Sequence, residues 1–194
     1  FAITSTPAQL EAAGALRREN ADTLMQTHLS ENKAEIAWVK KLFPKSRDYL
    51  SVYERYGLVG RGANFGHAIH LTAREIRALR ESGSALTHCP TSNTFIGSGL
   101  FDLQGLRGNE QPITLGLATD VGGGSSFSIF STMRSAYEIG QLRGVSLHAA
   151  KLLYLATLGS ASAMGLAGKI GTALSLCLRP CVNPQVRNCF TPGD

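Results

Sequence analysis

No stretch of 18 apolar residues occurs anywhere in the 194-residue sequence, so no membrane-spanning helix is expected. The first ten residues also lack the charged start and long apolar run of a secretory leader. Phe1 in place of Met reads as a processed chain or a fragment. Cysteine is scarce: Cys89, Cys177, Cys181 and Cys189 form no C-x-x-C pair, which excludes a zinc ribbon and a redox motif. A reducing, cytoplasmic compartment is the expectation. Charged residues make up only 17% of the chain, too few for disorder, whereas 43% hydrophobic residues suffice for a core. The 21 glycines fall without period and no heptad run persists, which rules out collagen-like and coiled-coil fibres. The net charge of +5 does not gather into one tract. Its densest cluster, Arg74, Arg77 and Arg80, is interleaved with Glu75 and Glu81 at helical spacing, as on a solvated helix face. With no recognition motif present, a nucleic-acid partner is not expected.

What the sequence does hold is an alternation of short apolar runs and longer helical periods. Strands are expected over residues 24–28, 63–67, 84–88 and 113–119, and helices over 8–20, 34–43, 49–56, 73–82, 126–139 and 146–156. The helix after Leu71 has the clearest limits. Thr72 and Glu75 form a capping box, Ile76 and Leu79 its buried stripe, and Gly83 its stop. Short apolar strands separated by helices specify a parallel α/β sheet or barrel. Four such units correspond to half of a (β/α)8 barrel, which takes roughly 250 residues. Residues 1–171 are expected to form this partial barrel domain. Residues 172–194, with prolines at 180, 184 and 192 and no period, are expected to be an irregular tail.

Four polar residues stand at expected strand ends: His28, His67, His88 and Asp120. That rim carries the active site in barrels of this kind. His28 with Glu31 pairs a nitrogen ligand with a carboxylate able to shuttle protons, the combination a mononuclear zinc hydrolase needs. A structural histidine is the alternative. His67 repeats the position of His28 one unit later, while His70 lies in the loop beyond; hydrogen bonding to backbone is the simpler reading for either. Asp120, followed by Gly122, Gly123 and Gly124, suits a metal ligand beside a closely passing backbone. A phosphate cradle is the rival, but G-x-x-x-x-G-K-[ST] is absent. For Cys89, Ser92 and Asn93 a structural role in the turn after Pro90 is expected, with His88 behind the ligands.

Read together, Gln26-Thr27-His28-Leu29-Ser30-Glu31-Asn32, Gly66-His67-Ala68-Ile69-His70-Leu71, His88-Cys89-Pro90-Thr91-Ser92-Asn93 and Thr119-Asp120-Val121-Gly122-Gly123-Gly124 resemble the guanine deaminase family of the amidohydrolase superfamily. Gly97 to Asp102 and Tyr154 to Gly159 extend the resemblance, which runs from Phe1 to about Gly171. The resemblance implies the C-terminal half of a TIM-like barrel, and a cytoplasmic zinc enzyme of purine catabolism. Such an enzyme converts guanine and water to xanthine and ammonia by a zinc-activated hydroxide, as a homodimer when complete. It further implies zinc ligation by His28 and Asp120, and catalytic roles for Glu31, His67 and Asp120. Glu31 would shuttle protons, and His67 would hold the nucleophile or polarise the purine. Substrate binding would fall to Phe1, His28, Glu31, His67 and Asp120. The family's H-x-H pair does not occur in these residues. Two alternatives therefore stand beside this one: a non-catalytic or truncated fragment, and a related amidohydrolase acting on another purine or a triazine.

Overall fold

The computed structural model describes residues 1–107 and 112–172. All but the first residue of the expected tail thus lies outside the described residues. Four strands, β1 (Met25–Leu29), β2 (Ala63–His67), β3 (Ala85–His88) and β4 (Thr114–Leu117), form one sheet in the order β1-β2-β3-β4. Every pairing is parallel, and the register aligns His28 with Gly66 and His88 with Leu117. Consecutive parallel strands joined by helical crossovers are the staves of a β/α barrel, and four of the eight are present among the described residues. Phe65 and Leu86 at the sheet centre are fully buried, as expected where helices cover one face and the barrel interior the other.

The helices are α1 (Pro7–Glu19), α2 (Lys33–Leu42), α3 (Tyr49–Arg55), α4 (Ala73–Ser82), α5 (Pro90–Phe95), α6 (Leu103–Arg107), α7 (Ile129–Leu142), α8 (Ala149–Tyr154) and α9 (Ser160–Ala163). The α4 capping box forms as its sequence requires: Glu75 accepts from the Thr72 amide at 2.8 Å and Thr72 Oγ1 at 2.9 Å. The same carboxylate accepts from the Leu50 amide at 3.1 Å, so buried Glu75 also fastens α3 to α4. Gly83 ends α4 at φ 69°, a left-handed conformation that glycine adopts without a Cβ clash.

Four sequence expectations need correction. Residues 90–95, expected as a turn, form α5, with Pro90 in the first turn where no amide donor is needed. Leu103–Arg107 forms a helix that was not foreseen. The last helix does not stop near residue 156: a π-helical segment, Leu155–Gly159, carries α8 into α9. Arg74 is not on a solvated face. Its guanidinium bonds Asp48 at 2.9 and 3.0 Å and Glu54 at 2.7 and 2.6 Å, which ties α4 to both ends of α3.

Candidate active site at the strand ends

The C-terminal ends of β1 and β2, the β4–α7 loop and the segment following β3 converge on one rim. Their backbones are strained there: Ser30, His67, Ala68 and Asp120 all have positive φ, between 47° and 66°. Each non-glycine residue in this region costs about 1–3 kcal/mol, and the surrounding structure must enforce it. Part of that enforcement is visible at the β1–β2 junction. The Ser30 carbonyl accepts from the Ile69 and His70 amides at 3.2 and 3.0 Å, and the Ala68 amide donates to the Leu29 carbonyl at 2.9 Å. The reversed backbone at His67 turns its side chain inward.

His67 is 2% exposed. Its Nδ1 lies 2.8 Å from Asn93 Oδ1, on the last turn of α5. An amide oxygen can only accept, so Nδ1 is the donor in this bond, and in the neutral ring Nε2 presents a lone pair. Nε2 in turn lies 3.9 Å from Asp120 Oδ2. The His28 ring stacks on His67 at 5.0 Å, and burial, followed by the nearby His67, lowers its pKa. Neutral imidazole is therefore the form favoured at His28.

Glu31 sits on the opposite side of His67, with Oε1 3.6 Å from Nδ1, and is 8% exposed. Its Oε1 also accepts from Ser98 Oγ at 2.9 Å. Its backbone is fixed from below, because the Glu31 amide donates to Glu35 Oε2 at 2.9 Å and Tyr49 holds Glu35 Oε1 at 2.6 Å.

Asp120 lies three residues beyond β4 rather than at its tip, and a third of its side chain is exposed. The loop closes when the Gly124 amide donates to the Asp120 carbonyl. A Cβ at Gly124 would collide with the Thr119 carbonyl, so this turn requires glycine there. Phe1 places its ring 4.4 Å from that of His28, and Tyr53 steadies both elements. The Tyr53 hydroxyl accepts from the Ala2 amide at 3.1 Å and donates to the His28 carbonyl at 2.9 Å.

His88 is not at this site. It is buried against Phe101 with ring centroids 4.4 Å apart, and burial lowers its pKa to about 3. His70 Nε2 donates to the Ser98 carbonyl at 2.9 Å, the backbone role its sequence suggested. Cys89 is held as the thiol, its pKa raised to about 12 by burial and then by Asp120.

Among the described residues, two sets of side chains bring their ligand atoms within 4.8 Å of one another: His28, Glu31 and His67, and His67, Cys89 and Asp120. The donor chemistry fits a metal cation. The His67 Nε2 lone pair faces a carboxylate, an arrangement of two acceptors that a cation between them would satisfy, and His28 beside them favours the neutral form that binds metal. Asn93, expected only to shape a turn, and Ser98 are residues that reasoning from the sequence missed. The Asn93 bond to His67 spans 26 positions, and no local pattern signals a partner that distant.

The amidohydrolase family model matches residues 1–173. Guanine deaminase from Escherichia coli is 45% identical over 174 residues, covering 90% of this chain and 39% of that protein. Its solved structure superposes with a TM-score of 0.86 over 89% of this chain and 40% of that one. A guanine deaminase from C. acetobutylicum, solved with guanine bound in its active site, is 30% identical with a TM-score of 0.76, covering 87% of this chain and 41% of its own. An adenosine deaminase from Xanthomonas campestris with bound zinc is 28% identical with a TM-score of 0.74, over 86% and 38% of the two chains. The chain thus spans about two fifths of the length of these relatives.

Proposed function

Because the chain belongs to the amidohydrolase family, we propose that it carries the Glu31, His67 and Asp120 portion of a zinc-dependent guanine deaminase active site. The observation that carries this reading is the convergence on one barrel rim of a buried carboxylate, a histidine with its Nε2 lone pair free, and a second carboxylate facing that lone pair. The 45% identity to a guanine deaminase across 174 residues supports guanine over other cyclic amidines.

His28 and Asp120 would hold the zinc, with His67 Nε2 directed at the same space. Zinc bound there would acidify water so that a nucleophile is available near neutral pH. His67, held by Asn93 with Nε2 as acceptor, orients that nucleophile through a hydrogen bond. Asp120 takes up the proton released when it attacks the amine-bearing carbon of guanine. Glu31 delivers a proton to the adjacent ring nitrogen, the proton taken up by Asp120 passes to the amine, ammonia departs, and the proton of the added hydroxyl returns to Glu31 as the new carbonyl forms. Burial of Glu31 keeps bulk water from competing for that proton. Phe1, its ring tilted against that of His28, supplies an aromatic face at the edge of the site. A cytoplasmic location and a homodimeric state of the complete enzyme belong to this same proposal; among the described residues no helix is long and apolar enough to cross a membrane.

The test is to supply the natural polypeptide carrying this sequence with guanine, adenine and cytosine. Xanthine formation from guanine alone is expected. Adenine turnover without guanine turnover overturns the assignment.

A further inference from the structure

Both ends of the proton-handling apparatus are tied to one short stretch of chain. Asn93 lies in the last turn of α5, which ends at Phe95, and Ile96 and Gly97 lead from there to Ser98. From this stretch Asn93 Oδ1 reaches His67 Nδ1 at 2.8 Å, and Ser98 Oγ donates to Glu31 Oε1 at 2.9 Å. The stretch is itself clasped. The Ser98 amide donates to the Asn93 carbonyl at 2.8 Å, and His70 Nε2 donates to the Ser98 carbonyl at 2.9 Å. Asn93 is fully buried and Ser98 is 6% exposed, so neither side chain has bulk water as a substitute partner.

We propose that Asn93 and Ser98 are positioning residues that together set the His67 tautomer and the direction of the Glu31 carboxylate, a role that rests on the deaminase reading above only for its effect on turnover. Asn93 accepts the Nδ1 proton, so Nε2 stays free to face Asp120. Ser98 occupies one lone pair of Glu31 Oε1 and leaves the other oxygen, Oε2, to exchange protons with a substrate. Without Asn93, Nδ1 loses its acceptor at 2.8 Å, and the nearest remaining one is Glu31 itself at 3.6 Å. His67 and Glu31 would then bond each other rather than serve the site. The clasp thus separates two groups that would otherwise neutralise one another's function.

Two arms test this in the natural polypeptide. The first reads the tautomer directly by ¹⁵N NMR of the His67 ring in metal-free protein. Protonated Nδ1 is expected, retained in Asn93→Asp, which keeps an acceptor oxygen, and disturbed in Asn93→Leu, which keeps the volume but not the acceptor. A wild-type ring protonated on Nε2 alone, or an Asn93→Leu ring identical to wild type, overturns the Asn93 role. The second arm reads Ser98. Ser98→Ala should lower kcat about tenfold with KM and zinc content unchanged, and Ser98→Thr, which keeps the hydroxyl, should recover to within about threefold of wild type. A loss in Ser98→Ala of less than threefold, or one matched by lost zinc or lost thermal stability, overturns the Ser98 role. If wild type turns over no guanine, the deaminase reading fails, whereas the NMR arm still decides the tautomer.

Discussion

The two sides of the rim differ in how completely this chain finishes them. On the Glu31–His67 side, both functional side chains are under 9% exposed, and each has a buried hydrogen-bond partner from the α5 end and its following turn. On the His28–Asp120 side, the Asp120 carboxylate is a third exposed and the His28 ring is only partly covered, by Phe1 and His67. Under the proposed roles, the contrast follows from the tasks. Proton transfer depends on tautomer and direction, which only fixed partners can set. A ligand pair needs lone pairs left free for an incoming cation, and a buried hydrogen bond would consume them. The same physics that closes one side keeps the other open.

The largest effect that would sharpen this comparison comes from Glu31→Gln, which keeps shape and the acceptor for Ser98 but cannot release a proton. Turnover of guanine should fall about 10²–10⁴-fold, the usual contribution of a general acid. Retention of more than a tenth of the activity would remove Glu31 from that role. Steady-state kinetics decides.

Next in size is Tyr53→Phe, which strikes beneath the open side. The hydroxyl serves the Ala2 amide, the His28 carbonyl and Thr27 Oγ1, the last at 3.1 Å. Removing it leaves buried partners unpaired, at a cost of about 1–3 kcal/mol of stability by urea melting. A change below a few tenths of a kcal/mol would show that the β1 end does not depend on this clasp.

A smaller, graded effect should come from His88, which is in neither candidate ligand group. Its folded pKa is about 3 against 6.5 for the free group, because burial disfavours the cation. Below 6.5 the unfolded chain therefore binds a proton that the folded chain refuses. Stability should be complete above that pH and decline by about 1 kcal/mol per unit as pH falls toward the folded value. His88→Phe should flatten this dependence in pH-stepped urea melts. An unchanged slope would assign the decline to other groups.

β2 and β3 were the most legible strands because each is a short run that ends at a histidine. β2 falls on residues 63–67 as the pattern places it, and β3 starts one residue late. The α4 limits were legible for a different reason: Thr72, Glu75 and Gly83 satisfy the helix ends by local bonds, so the information is local. Where the information was not local, the sequence misled. Six residues cannot display a helical period, so α5 looked like a turn. Arg74 occupies the exposed-looking face of its helix until α3 brings Asp48 and Glu54 against it. Asp120 was expected at a strand tip, but β4 ends at Leu117 and the intervening residues carry it over the rim. The site followed the same division. The residue types at the strand ends announced themselves, whereas the hydrogen bonds that hold them come from positions 26 and 67 residues away.

The division of labour between the two sides is tested most directly by zinc content, measured side by side in the purified Glu31→Gln, His28→Ala and Asp120→Ala forms of the natural polypeptide. The account predicts wild-type zinc in Glu31→Gln and zinc well below one equivalent in the other two. Unchanged zinc in both His28→Ala and Asp120→Ala, or zinc lost in Glu31→Gln alone, would contradict it.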